Sequence, residues 1–152
     1  MAGIELTVQG QRDVLARVNS LVQFDPTELL DDVGQYLVSE TVYRFRTSTD
    51  PQGNQWQPLS ERTREQRGQQ AKPLVHKGHL RDSITHQVRG DEVRIGNNRI
   101  YGAIHQFGGQ AGRGHKVPLP ARPYLGINGD DEVEITQIAQ GHVNRALALG
   151  NG

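Results

Sequence analysis

"FDPTELLDDVGQYLVSETVYRFRTS", residues 24–48, repeats Leu30, Val33, Gly34, Leu37, Val38, Thr41, Val42 and Phe45 in alternating steps of three and one. At 3.6 residues per turn that spacing gathers them on one face of a helix, sustained for about four turns. The start is signalled as well. Asp25 can cap, Pro26 suits the first helical position, and Glu28 sits where a capping box returns its carboxylate. A stripe this long has to be covered, and the flanking sequence supplies what covers it.

Upstream, "IELTVQ" (residues 4–9) alternates Ile4, Leu6 and Val8 with polar residues, the period of a half-buried strand. From Arg12, Val14, Leu15, Val18, Leu21 and Val22 predict a short amphipathic helix ending near Phe24. Downstream, "DSITHQVRGDEVRIGNN" (82–98) places Ile84 and Val88 before, and Val93 and Ile95 after, Gly90-Asp91. Glycine first in a two-residue loop fits a type II′ turn, so residues 83–96 read as a hairpin. Ile100 to Phe107 reads as a short helix stopped by Gly108 and Gly109. Asp131 followed by Glu134 repeats the capping-box spacing, and Ile135, Ile138, Ala139, Val143 and Ala146 carry a C-terminal helix.

The fold class expected is therefore α+β: a small antiparallel sheet with a hairpin packed against a long amphipathic helix, plus a C-terminal helix. Two stretches stay open. "SERTREQRGQQAK" (60–72) is almost wholly polar and reads equally as a short solvated helix or a mobile segment. "GGQAGRGHKVPLPARPYLGIN" (108–128) is so rich in glycine and proline that long regular structure is forbidden, and residues 109–120 read as a flexible arm.

A chain of 152 residues fits one domain. Only 34% of it is hydrophobic, and 18 glycines and 7 prolines imply much loop, some of it ordered only against a partner. Seventeen basic residues balance seventeen acidic ones, which argues against tracking nucleic-acid phosphates as the main task. Fourteen of the cations are Arg, a bias that suits bidentate pairing at protein interfaces. Without cysteine there is no disulfide, thiolate nucleophile or Cys-based zinc site. The opening "MAGIELTVQGQRD" has neither a basic nor an apolar leader region, and no apolar run approaches membrane-spanning length. The expected location is the cytosol or something assembled there.

Two groups of residues invite a chemical reading. His76 and His79 in "HKGH" would stand one turn apart on a helix, but Gly78 lies between them and no carboxylate spacing accompanies them, so ordinary turn histidines are expected. In "IYGAIHQFGG" (100–109), Tyr101 and His105 share a face if helical and could share a proton, which opens the alternative of a small hydrolase or metal-dependent enzyme. That alternative lacks a nucleophile motif and a phosphate loop. The structural reading has His105 and Gln106 bonding backbone groups while Ile104 and Phe107 enter the core. Arg113, His115 and Lys116 form a short basic cluster without aromatics, suited to a solvated loop or a protein contact.

Taken in order, "RFRTSTDPQGNQWQPLSERT", "LVHKGHLRDSITHQV", "VRIGNNRIYGAIHQFGG" and "VPLPARPYLGIN" resemble the successive signatures of the tail completion, or virion morphogenesis, family of tailed bacteriophages, Mu-like phages included. The resemblance runs from about Arg44 to Asn128. Its elements are Pro51, Gly53 and Trp56 with Leu59 following; Gly78 and Leu80 before the hairpin; Tyr101 with the His105-Gln106-Phe107-Gly108 turn; and Pro120, Arg122, Pro123, Tyr124, Leu125 and Gly126. His76 and Lys77 depart from the neutral pair commoner before that first glycine.

The resemblance implies a structural virion component at the end of the tail that meets the head, with no catalytic residue, metal or cofactor to carry over. It implies a homo-oligomeric ring, with six copies because phage tails are built from hexameric rings. The partners it implies are the tail terminator or tail tube and the head–tail connector, with DNA at most passing through the lumen and no membrane. Assembly would take place in the host cytoplasm. Gly109, Gly112, Arg113, His115 and Lys116 become the expected subunit-contact arm.

Overall fold

In the computed structural model, residues 3–9 and 24–150 are described. The amphipathic helix expected from Arg12 lies outside them. Three strands make one antiparallel sheet: β1 (Glu5–Gln9), β2 (Thr85–Arg89) and β3 (Glu92–Gly96), in the order β1-β3-β2. The register sets Leu6 and His86 beside Ile95, and Val8 and Val88 beside Val93, so one face is mainly aliphatic. The opposite face carries Glu5, Glu92 and Arg94, joined by ion pairs, as in an antiparallel sheet wetted on one side. The hairpin closes at Gly90 with φ +60°, while Asp91 keeps negative φ, the sign pattern of the expected type II′ turn.

Helix α1 (Thr27–Thr47) lays its stripe on the aliphatic face. Leu30, Val33, Leu37 and Phe45 are buried together with Val93 and Ile95. Gly34 belongs to the stripe for a reason of space: a Cβ there would stand 2.3 Å from a ring carbon of His86. The close approach lets His86 Nε2 reach Asp31 Oδ1 at 2.7 Å, tying helix to sheet. At the start of α1, Asp25 accepts from the Thr27 amide and hydroxyl, and Pro26 precedes the helix instead of opening it.

Residues 61–67 settle one open reading. They form α2 (Glu61–Arg67), capped by the Ser60 hydroxyl that accepts from the Thr63 amide, with no buried residue. Helix α3 spans Gly102–Phe107, and α4 spans Gly129–Gly150. The capping box of α4 lies three residues before its expected place. Asn128 Oδ1 accepts from the Asp131 amide while Asp131 Oδ2 accepts from the Asn128 amide. Asp131 is thus the returning carboxylate, because it is already engaged inside the protein.

The expected arm at 109–120 has its own short pairing. Gly109–Ala111 (β4) and Val117–Leu119 (β5) pair as an antiparallel ribbon, with one turn of 3-10 helix at its tip. Three-residue strands satisfy the ban on long regular structure and still pair their backbones. Gly112, Gly114 and His115, all at positive φ, make the reversal.

Candidate functional site

Three separated stretches that carry distinctive residues meet in one place, held by hydrogen bonds from side chain to backbone. Trp56 is buried, its indole Nε1 donating to the Pro123 carbonyl at 2.7 Å. Its ring meets Phe45 edge-on at 5.5 Å, and Phe45 in turn contacts Tyr124 at 5.3 Å. Arg122 Nε and Nη2 donate to the carbonyls of Gln57 and Pro58. Gln106 does most for its size: its oxygen accepts from the amides of Tyr124 and Leu125 while its nitrogen donates to the Leu125 carbonyl.

Tyr124 ends in a closed circuit, its hydroxyl donating to the Gly102 carbonyl and accepting from Asn97 Nδ2. Burial pushes its pKa up to about 12, so it stays neutral throughout the working range. Gly108 must be glycine. Its φ is +74°, and a Cβ would stand 2.8 Å from the Ala121 amide nitrogen, so the end of α3 can press on the returning chain.

Beneath this junction lies a buried ion pair that the sequence does not advertise. Arg44 Nη2 reaches Asp131 Oδ2 at 2.7 Å, and Nη1 donates to the carbonyls of Tyr124 and Gly126. The Tyr36 hydroxyl donates to the other oxygen of Asp131; burial first, and that carboxylate second, raise the Tyr36 pKa. Asn128 Nδ2 adds a bond to the Pro51 carbonyl. Helix α1, the 122–128 segment and α4 are thereby fastened at one point. Arg44 sits in the last turn of α1, where a basic residue reads as solvated surface, and its partner is 87 positions away.

A cleft of about 390 Å³ opens beside the junction. Leu59, Leu80, Tyr101, His105 and Arg122 line it with Thr63, Arg67, Leu74, His76, Lys77, Gly78, His79 and Leu119. The proton-sharing pair of the enzyme alternative is not formed there. Tyr101 and His105 meet edge to face with ring centroids 6.0 Å apart, and His105 Nδ1 is buried with no hydrogen-bond partner. Burial first, then the Arg122 charge, lower the His105 pKa, which favours the neutral ring. Among the described residues no group of three or more His, Asp or Glu is set to hold a metal ion.

The expected roles of two residues are corrected here. His105 contributes its carbonyl, accepting from the Arg122 amide, but its imidazole bonds no backbone group. Phe107, expected in the core, is 71% exposed. In a six-residue helix the inward positions are Gly102 and Gln106, one turn apart, and Phe107 falls outside that line. Gly109, Gly112, Arg113, His115 and Lys116 all lie on the ribbon, exposed and apart from the junction. Pro120 follows the ribbon and leads to Arg122.

The model of the phage virion morphogenesis family matches residues 6–144. The chain belongs to that family. The match takes in β1, all of α1 and most of α4, well beyond the 44–128 stretch that carries the short motifs. The chain is similar to the Mu-like prophage FluMu G protein 2 of Haemophilus influenzae, 32% identical over 139 residues covering 90% of this chain and 94% of that protein. It is also similar to the putative capsid assembly protein G of Escherichia phage Mu, 34% identical over 117 residues, 73% of this chain and 75% of that one. An uncharacterized protein of Methanocaldococcus jannaschii is 28% identical over 105 residues, 64% of this chain and 74% of its own. No solved structure matches. A phage structural role in virion morphogenesis follows from family membership, and with it a virion-associated location. No helix among the described residues is long and apolar enough to cross a membrane.

Proposed function

We propose that this virion morphogenesis protein is a non-catalytic ring subunit at the neck of a tailed phage, at the head-proximal end of the tail, required for joining head to tail. One observation carries the reading: the signature side chains of Trp56, Gln106, Arg122 and Tyr124 all bond the backbone of other signature stretches. A signature kept for catalysis would turn such groups toward a substrate; this one keeps a shape. Three large apolar residues face outward nearby, with Ile100 89% exposed and Phe107 and Val117 also in water. A neighbouring protein would cover them.

A closed ring gives every copy the same environment and stops growth at a defined size. Six copies, contacts to the tail terminator or tail tube and to the head–tail connector, and DNA confined to the lumen are taken from the family resemblance. The name of one relative, the putative capsid assembly protein G of phage Mu, concerns particle construction.

The test is a nonsense codon in the gene within its phage. Electron microscopy of the lysate is expected to find filled heads and separate tails, with joining restored by the protein supplied from a plasmid. Joined, infectious particles without the protein would contradict the proposal.

A further inference from the structure

The cleft beside the junction is built entirely of neutral and basic residues. Arg67, His76, Lys77, His79, His105 and Arg122 contribute to it, and among the described residues no Asp or Glu lines it. Arg122 is the unusual member. It is only 6% exposed, and its two bonds go to carbonyls, with no carboxylate in contact among the described residues. Burial lowers its pKa, a sign that the cation is held without a counter-charge. A guanidinium withdrawn from water in this way is expensive unless an anion neutralises it. The adjoining His105 Nδ1 is also buried and unpartnered.

The chain carries suitable carboxylates elsewhere. In the first turn of α4, Asp131 turns inward to Arg44, while Asp130 and Glu132 on either side of it are exposed and, among the described residues, enter no side-chain hydrogen bond or ion pair. No residue of 128–134 lines the cleft of its own subunit. We propose that the cleft receives the first turn of α4 from a second copy of this chain, whose Asp130 and Glu132 supply the missing anion to Arg122 and to the Arg67 and Lys77 rim. The contact is head to tail, with different surfaces on the two copies. Such a contact propagates around a closed ring, leaving no cleft empty. The inference rests on the ring proposed above and names the surfaces that join its subunits.

The experiment uses the full chain at high concentration. Equal amounts of ¹⁴N- and ¹⁵N-labelled protein are treated with a carbodiimide, which joins an amine to a contacting carboxylate without a spacer. Mixed-isotope peptides linking Lys77 to Asp130 or Glu132 are expected. Two charge-reversed variants complete the test: Arg67→Glu with Lys77→Glu, and Asp130→Lys with Glu132→Lys. All four side chains are exposed, so both variants are expected to fold, the helix variant melting somewhat lower because it places two cations at the N-terminal end of α4. Each variant is expected to weaken self-association in sedimentation equilibrium by about tenfold or more, and a mixture of the two to associate again. Wild-type protein that stays monomeric, cross-links that map elsewhere, or a helix variant that associates normally would each overturn the proposal. The neck reading survives any of these if the nonsense mutant still leaves heads and tails unjoined.

Discussion

Arg44 and Arg122 are both buried guanidiniums in the same small protein, and their surroundings differ in one respect. Arg44 has two carbonyls and a carboxylate, Asp131, which is itself held by Tyr36 and Asn128. Arg122 has two carbonyls and no carboxylate. Around Arg44 the polar atoms are satisfied, and α1, the 122–128 segment and α4 are locked together. Around Arg122 there is an open basic cleft, and Phe107 and the ribbon stand in water. The contrast teaches that the buried polar groups around Arg44 are satisfied within one copy, while those around Arg122 are shaped for a contact the isolated chain cannot make.

Breaking the satisfied side has the largest expected effect. Asp131→Ala leaves Arg44 buried without its counter-ion, at a cost of about 3–5 kcal/mol measured by urea denaturation. Replacing both residues together, Arg44→Leu with Asp131→Leu, is expected to recover much of that loss. An Asp131→Ala protein as stable as wild type would show that the pair does not fasten the helices. Arg122→Leu sharpens the contrast. It forfeits two hydrogen bonds but also removes an unbalanced charge, so the expected loss is no more than about 1–2 kcal/mol. A loss as large as that of Asp131→Ala would mean that the two cations are equally compensated.

A smaller effect concerns pH. His105 is held below the ordinary histidine value by burial and by Arg122, so the unfolded chain takes up this proton first. Stability is therefore present above about pH 6.5 and falls as pH drops from there toward the lowered native value. Urea midpoints measured across that window are expected to slope less in a His105→Gln variant; an unchanged slope would remove His105 from the account. The smallest effect belongs to Phe107. Phe107→Ser is expected to change stability by less than about 0.5 kcal/mol, because the ring already lies in water. A cooperative loss of stability would put Phe107 back in the core.

The parts of this fold visible in the sequence are those with a period. The stripe of α1 and the alternation in β1 and the hairpin turn the expected residues to the core side, buried in α1 and β3 and half-buried in β1, since periodic apolar patterns report a covered face directly. The ribbon escaped that reading because strands of three residues carry no period, and glycine and proline mask them. Phe107 escaped it because a helix of six residues defines no stripe. The Arg44–Asp131 pair was invisible for another reason: it joins positions far apart in sequence, and each residue alone resembles surface. The motif stretches were legible one by one as short signatures, but the convergence of Trp56, Gln106, Arg122 and Tyr124 and the open cleft beside them were not, because both join positions far apart in sequence.

The central claim, that the open side is the assembly surface, is tested most directly in particles. Residues 110–116 are replaced by a short Gly-Ser link, which removes most of β4, the tip of the ribbon and its basic cluster but leaves the junction intact. The account predicts a protein that folds and melts like wild type, together with a lysate in which electron microscopy finds heads and tails unjoined. Normal yields of joined, infectious particles would contradict it.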